Sequence, residues 1–334
     1  MDSYRQFVGV DISAEQLHIG QSHQRSLEVS VFSQPYTPEG MAALSDGLLA
    51  EEAEPGQTLV VMEATGNFWM RLAYHLDRQG FAVSVINPAQ AHYFAQAVLQ
   101  RGKSDVLDAQ MLTRLAATLQ PARWTPPPPL YEELRQRLTE RDTLLDIRQQ
   151  VRNQSYALTY NPHPVPAVEQ RRQAQLTLLD QQVTQIEAEI EQLLGQPGPW
   201  AASAQRLLSI PGIGLLTAAW LLVATVNFSQ AQTVEQITAY AGLAPRPRQS
   251  GTSLHGRTSI GHTGHARLRS ALYMAVLSAI RFNPPIRAYY YRLLERGKVK
   301  KVALCAAARK LLHLAWTLVK KERFFDPNFQ PIAA

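Results

Sequence analysis

Cysteine, repeats and long apolar runs are scarce in this chain, and acids are scarce beyond residue 200. One cysteine in 334 residues, Cys305, excludes an internal disulfide framework and any cysteine-rich zinc site. No apolar run approaches the ~20 residues that cross a bilayer. The opening stretch, MDSYRQFVGVDIS, has no charged segment followed by an apolar one, so no secretory signal is expected. A reducing, cytoplasmic compartment and no membrane partner are the expectations. Low complexity is confined to the prolines at 126–129. Residues 201–334 hold only 4 Asp+Glu against 18 Lys+Arg, a balance of +14, whereas residues 1–200 hold 23 against 15, a balance of −8. A region with that basic excess repels itself unless a polyanion lies against it, so nucleic acid is the natural partner and a basic solvated surface the alternative. The acidic first part would be odd in a protein that merely coats DNA. It makes sense if some of its carboxylates hold metal.

What is present suits a globular protein: 46% hydrophobic and 18% charged residues, over a length sufficient for two domains. Residues 7–12 (FVGVDI), 59–64 (LVVMEA) and 82–87 (AVSVIN) read as buried strands, the last stopped by Pro88. Segments 16–20 and 27–32 alternate as strands of a meander. Helices are expected over 37–52, where Thr37 caps and Pro38 opens the first turn, over 66–79 with Gly80 as the stop, and from Ser104 or Asp105 to about Leu119. Strands followed by helices of this length imply a mixed α/β sheet. The prolines at 126–129 mark a boundary. Two long amphipathic helices follow, the second with Leu176, Leu179, Val183, Ile186, Ile190 and Leu193 in steps of three and four. They form either an antiparallel hairpin, a dimerising coiled coil, or an ordinary helical linker. From Trp200 the chain reads as helical and basic, with landmarks at 209–222, 239–257, 264–280 and a last helix near 301–321.

Acids stand where a fold rarely leaves them idle. Asp11 ends FVGV and Glu63 ends LVVM, so each sits at the rim of a sheet, and an unpaired buried carboxylate costs several kcal/mol. Asp105 and Asp108 are spaced i, i+3 and share a helix face. Four such acids brought together cannot all stay ionised without cations between them. Oxygen ligands suit hard divalent ions, Mg²⁺ being usual in phosphoryl transfer, and two ions about 3.5–4 Å apart stabilise attacking and leaving oxygens. The bland alternatives are a turn-forming Asp11, a capping Asp105 and a first-turn Asp108. Glu63 is the hardest to explain away, because Glu is a poor strand residue and LVVM offers it no cation.

In the basic half, SIPGIG before an apolar helix reads as a helix-hairpin-helix whose Gly212 and Gly214 let backbone N–H groups meet a phosphate, or as a plain helical corner. APRPRQSGTSLHGR reads as a loop in which Arg246, Arg248 and Arg257 surround three hydroxyls, Ser250, Thr252 and Ser253. Any of the three is placed to attack a phosphate whose charge the arginines neutralise, and a non-catalytic phosphate loop is the alternative. Arg267 and Arg269, in GHARLRSALY, are further candidate nucleic-acid contacts. His255, His262 and His265 lie nearby without the partners of a zinc site, and their roles stay open.

Taken in order, VGVDIS, MEATG, SVINP, KSDVLDAQML, SIPGIG, AGLAPRPRQSGTS and GHARLRSALY resemble the DEDD transposases of bacterial insertion sequences, a family that includes bridge-RNA-guided recombinases and Piv-type DNA invertases. The resemblance spans nearly the whole chain. It implies an RNase H-like (RuvC-like) domain over 1–125, a helical coiled-coil segment over 126–199 and a helical C-terminal transposase domain over 200–334. It also implies that Asp11, Glu63, Asp105 and Asp108 bind Mg²⁺, with Mn²⁺ able to substitute, and that Ser250 is the nucleophile forming a covalent phosphoserine. The implied partners are donor and target DNA, a structured guide RNA, and a homodimer that assembles to a tetramer with a composite site. The competing reading is a hydrolytic RuvC-like nuclease or junction resolvase, in which water attacks and Ser250 only holds phosphate.

Overall fold

The computed structural model of the chain describes residues 4–23, 28–50, 54–102, 104–229, 232–250, 254–260 and 264–328, with backbone alone for 246–250 and 254–259. The chain divides into two compact units, Met1–Pro126 and Pro127–Ala334.

The first unit is built on a five-stranded sheet. Strands β1 (Gln6–Ile12), β2 (Gln16–His23) and β3 (Ser30–Pro35) form an antiparallel meander, while β4 (Thr58–Glu63) and β5 (Ala82–Ile86) run parallel to β1, in the order β3-β2-β1-β4-β5. Helices α1 (Pro38–Leu49), α2 (Phe68–Arg78), α3 (Pro88–Ala97) and α4 (Asp105–Leu119) cover both faces. Because successive strand residues face opposite ways, Val8, Val10, Val60 and Met62 pack with Met41, Leu44, Leu72 and Leu76 of α1 and α2. Phe7, Leu59 and Val61 pack instead with Ala91 of α3 and with Met111, Leu112 and Leu115 of α4. Burial on both sides explains why β1 and β4 read as continuous apolar runs.

Helix α4 lies unusually near the sheet. A Cβ at Gly9 would stand 2.2 Å from the Thr113 backbone nitrogen, and one at Gly20 would stand 2.4 Å from Thr113 Oγ1. These two glycines are register partners across β1 and β2. Thr113 fills the contact: its hydroxyl accepts from the Gly9 N–H at 3.1 Å and donates to the Ala109 carbonyl at 2.8 Å. Glycine here serves close approach, not turn formation.

Most expected elements are found, with three departures. Strand β3 lies three residues beyond the expected 27–32, since it is a largely exposed edge strand whose alternation carries no burial signal to fix its limits. Pro88 does not merely stop β5; it opens α3 at the first helical position, with Asn87 Oδ1 capping the Ala89 N–H at 2.8 Å. Beyond Trp200 the chain is not helical throughout, as described next.

In the second unit, α5 (Pro129–Leu158) and α6 (Pro166–Gly195) form an antiparallel hairpin of two 30-residue helices. Its seam joins Leu134, Leu138 and Val151 with Leu179, Val183, Ile186 and Ile190. Cross-helix pairs Arg137–Glu189, Arg141–Glu187 and Arg148–Asp180 fix the antiparallel sense. The root of the hairpin shares one core with α7 (Pro199–Leu208), α8 (Leu215–Thr225), α9 (Val234–Tyr240), α10 (Ala266–Phe282), α11 (Pro284–Glu295) and α12 (Lys300–Lys320). Helix α12 is long and apolar enough to cross a membrane, contrary to the expectation from the sequence, but Ala303, Ala307, Leu311, Leu312 and Ala315 belong to that core. The segment expected as an arginine-rich loop contains an antiparallel ribbon, β6 (Pro245–Ser250) with β7 (Leu254–Ile260). Both strands are edges, and the register shifts between Arg246 and Arg248, at Pro247, so the prolines forfeit no ladder bond that a central strand would need.

The helix–sheet contact yields a paired prediction. Gly9→Ala drives its methyl into the backbone of α4 and is expected to destabilise the protein by about 3 kcal/mol or more. Gly47→Ala, in an exposed turn of α1 with nothing within 4 Å, is expected to stabilise it by about 0.5–1 kcal/mol. Urea denaturation of the two full-length variants checks both signs.

Candidate active site

The two-residue period of the strands settles which way the strand acids face. Asp11 shares its side of β1 with Phe7 and Gly9, and Glu63 shares its side of β4 with Leu59 and Val61, so both face α4. Val10 pairs with Met62 in the parallel ladder, which brings the two acids to the same end of adjacent strands. Ser104 caps α4 by accepting from the Leu107 N–H at 3.3 Å, and the first helical turn then carries Asp105 and Asp108. The close seat of α4 on Gly9 and Gly20 sets that turn against the acid-bearing strand ends.

The four acids predicted from the sequence therefore converge. Asp11 is half-buried, and its pKa is pushed from the ordinary 3.8 up to about 6. Burial is the largest cause, followed by the neighbouring charges of Asp108 and Asp105, with Glu63 adding a smaller push. The one influence opposing the rise is His18. Glu63 Oε1 accepts from the Thr65 hydroxyl at 2.7 Å, and Asp108 Oδ1 accepts from the Gln100 amide at 3.4 Å. The Asp105 side chain remains 63% exposed. Such an arrangement can hold a divalent cation, whose charge offsets the mutual repulsion that burial otherwise magnifies.

Sequence reasoning missed His18. It is the register partner of Asp11, and its Nδ1 stands 3.9 Å from Asp105 Oδ2. One ligand atom from each of Asp11, His18 and Asp105 lies within 4.8 Å of the others. The signal was available: a turn over Ser13–Gln16, closed by the Ser13 N–H to the Gln16 carbonyl, pairs Ile12 with Leu17 and therefore Asp11 with His18.

The remaining candidates belong to the second unit. Ser250 is the last residue of β6, in register with Leu254 of β7; Thr252 and Ser253 lie outside the described residues. Arg246 pairs with Ser259 and Arg248 with Gly256 in the same ladder, which also carries Arg257 and His255, the latter opposite Gln249. His262 lies outside the described residues. His265 caps α10, its Nδ1 accepting from the Leu268 N–H at 3.1 Å, and burial lowers its pKa. It is thus a neutral structural cap. Arg267 pairs with Asp142 and stacks over Trp220 at 5.6 Å, so its charge is partly spent inside the unit. Arg269 is half-buried on α10. Gly212 (φ +104°) lets the turn between α7 and α8 meet α10, where a Cβ would stand 2.5 Å from that of Ala279, whereas Gly214, before α8, faces open space.

Comparisons with known proteins agree over both units. A family model described as "Transposase IS116/IS110/IS902 family" matches residues 204–291, and a second, described as "Transposase", matches residues 8–159. The pilin gene-inverting protein of Moraxella bovis is 31% identical over 293 residues, covering 86% of this chain and 88% of that protein. The transposase for insertion sequence element IS1328 of Yersinia enterocolitica is 23% identical over 349 residues, covering 96% and 98%. An uncharacterized 43.6 kDa protein of insertion element IS110 from Streptomyces coelicolor is 32% identical over 151 residues, covering 45% and 36%.

A pH dependence follows from Asp11. The folded protein binds its proton more tightly than the unfolded chain, so in chelator the fold loses stability as pH rises between about 4 and about 6 and carries the full penalty above that range. Asp11→Asn is expected to stabilise the cation-free protein at pH 7.5 by on the order of 2 kcal/mol. That advantage is expected to vanish at pH 4. Denaturation in EDTA across this range checks it, and parallel stability curves for the two proteins would contradict it.

Proposed function

This chain belongs to the IS116/IS110/IS902 transposase family and is a DNA-recombining enzyme, and from that premise we propose that it cuts and rejoins DNA through Ser250, with Asp11, Glu63, Asp105 and Asp108 as the holders of divalent cations. The observation that carries the proposal is the convergence of four carboxylates at one end of a sheet, with Asp11 forced up to about 6. Oxygen donors in that number fit Mg²⁺, with Mn²⁺ as a substitute. Asp11, Glu63, Asp105 and Asp108 would hold such cations, which when bound would supply Lewis-acid polarisation of a phosphodiester and charge stabilisation for its attacking and leaving oxygens. An RNase H-like reading of the first unit is supported by the way its parallel strands and one helix bring these acids together.

The protein's own groups have distinct parts in this reaction. Thr65 and Gln100 orient Glu63 and Asp108 through their hydrogen bonds. The Ser250 hydroxyl attacks phosphorus: an Oγ–P bond forms, the bond from phosphorus to the sugar oxygen breaks, the hydroxyl proton passes to a base and the departing oxygen gains one. One phosphoester replaces another, so a second sugar hydroxyl reverses the exchange without further energy input. Arg246, Arg248 and Arg257, on the ribbon that carries Ser250, neutralise the phosphate. A composite site, formed within a homodimer that pairs to a tetramer, and a structured guide RNA that reads sequence are proposed on the family resemblance. With a guide of that kind, the basic half has only to hold backbone and shape. A cytoplasmic location is part of the same proposal.

Ser250→Ala is expected to abolish strand exchange and the covalent protein–DNA adduct, read by denaturing gel electrophoresis of labelled DNA. Undiminished cleavage by this variant would assign attack to water and favour a hydrolytic nuclease. Asp11→Ala and Glu63→Ala are expected to lose cation-dependent cleavage by at least about a hundredfold while keeping salt-sensitive DNA binding. Normal recombination by both would make the acids structural. Sequencing of RNA that copurifies with the protein tests the guide.

A further inference from the structure

Register puts one nitrogen donor among the oxygen donors of the acid cluster. His18 is fixed twice: by its pairing with Asp11 in the β1–β2 ladder, and by a side chain only 14% exposed. Its Nδ1 is fully buried and has no hydrogen-bond partner among the described residues. The nearest acid oxygen, Asp105 Oδ2 at 3.9 Å, is beyond hydrogen-bond reach. A buried donor or acceptor left in that state costs about 1–3 kcal/mol, so a group standing this close to two carboxylates without bonding either calls for a third participant.

The separations fit a shared ion. Donors about 2.1 Å from one cation lie about 3.0 Å apart at adjacent octahedral positions and about 4.2 Å apart at opposite ones. The 3.9 Å gap and the mutual 4.8 Å span of Asp11, His18 and Asp105 exceed the adjacent spacing by about 1–2 Å, which shifts of about 1 Å at each side chain would close. A structural ion pair would instead draw the imidazole and carboxylate into contact.

We propose that His18 is a ligand of the cation shared with Asp11 and Asp105, and that its imidazole makes this position favour a manganese-class ion over magnesium. The proposal rests on the reading that the acids hold divalent cations. Carboxylates and water suit Mg²⁺ and Mn²⁺ alike and do not separate them, whereas an imidazole nitrogen is a donor that a transition ion takes up more readily than Mg²⁺ does.

The test uses full-length protein stripped by chelator and loaded with Mn²⁺, and pulsed electron paramagnetic resonance reads coupling to a directly bound ¹⁴N. Wild type is expected to show imidazole coupling that disappears in His18→Ala and His18→Gln. Both variants are expected to lose Mn²⁺ affinity by at least about tenfold, the loss seen when even an outer partner of a ligand is removed. Mg²⁺ affinity, read by competition, is expected to change far less. Mn²⁺ bound without nitrogen coupling in wild type, or with coupling that survives in the variants, overturns the role of His18. Asp11→Ala separates the two levels. If Mn²⁺ binding needs Asp11 but carries no nitrogen, only the His18 inference fails. If Mn²⁺ does not bind, or binds equally well to Asp11→Ala, the cation reading of the cluster fails and His18 with it.

Discussion

The contact between α4 and the glycine pair Gly9–Gly20 is the constraint on which the candidate site depends. Two strands give up side chains at adjacent positions so that a helix backbone can descend onto them, and Thr113 satisfies the buried groups that this leaves. Only at this depth does the first turn of α4 meet the ends of β1 and β4. A helix carried on ordinary side chains would stand about 10 Å from the sheet, too far for its aspartates to share an ion with the strand acids. Burial at that depth also raises the proton affinity of Asp11. The packing that assembles the cluster thereby creates the demand for positive charge.

The acids and their supporting elements were legible in the sequence because each was marked by local chemistry. Apolar runs ending in Asp11 and Glu63 located the strands, and Ser104 before Asp105 marked the helix start. Thr37 followed by Pro38 did the same for α1. Features set by pairing were harder to read. His18 matters through its partner across a hairpin, and nothing in QLHIG alone singles it out. Pro88 ends a strand and begins a helix, and a single residue does not tell which. The β6–β7 ribbon was hidden by prolines and glycines that ordinarily argue for a loop but that a two-stranded edge tolerates.

The second unit revises how its basic landmarks are understood. Gly212 is committed to α10, His265 to capping, and Arg267 to Asp142 and Trp220. Each of these three residues therefore has a structural partner within the unit, whatever else it meets. The ribbon keeps its interest for the opposite reason: its short ladder holds Ser250 and three arginines within a few register steps.

The α5–α6 hairpin has a mechanical consequence. Thirty helical residues rise about 45 Å, roughly thirteen base-pair steps of duplex DNA at 3.4 Å each. The arginine–carboxylate rungs along its length and the root embedded beside Trp200 and Leu221 make it a strut instead of a tether. At the far tip, Tyr156 and Tyr160 are 65% and 72% exposed. The tip is thereby held at arm's length from the root of the hairpin, at a distance set by the rise of the helix.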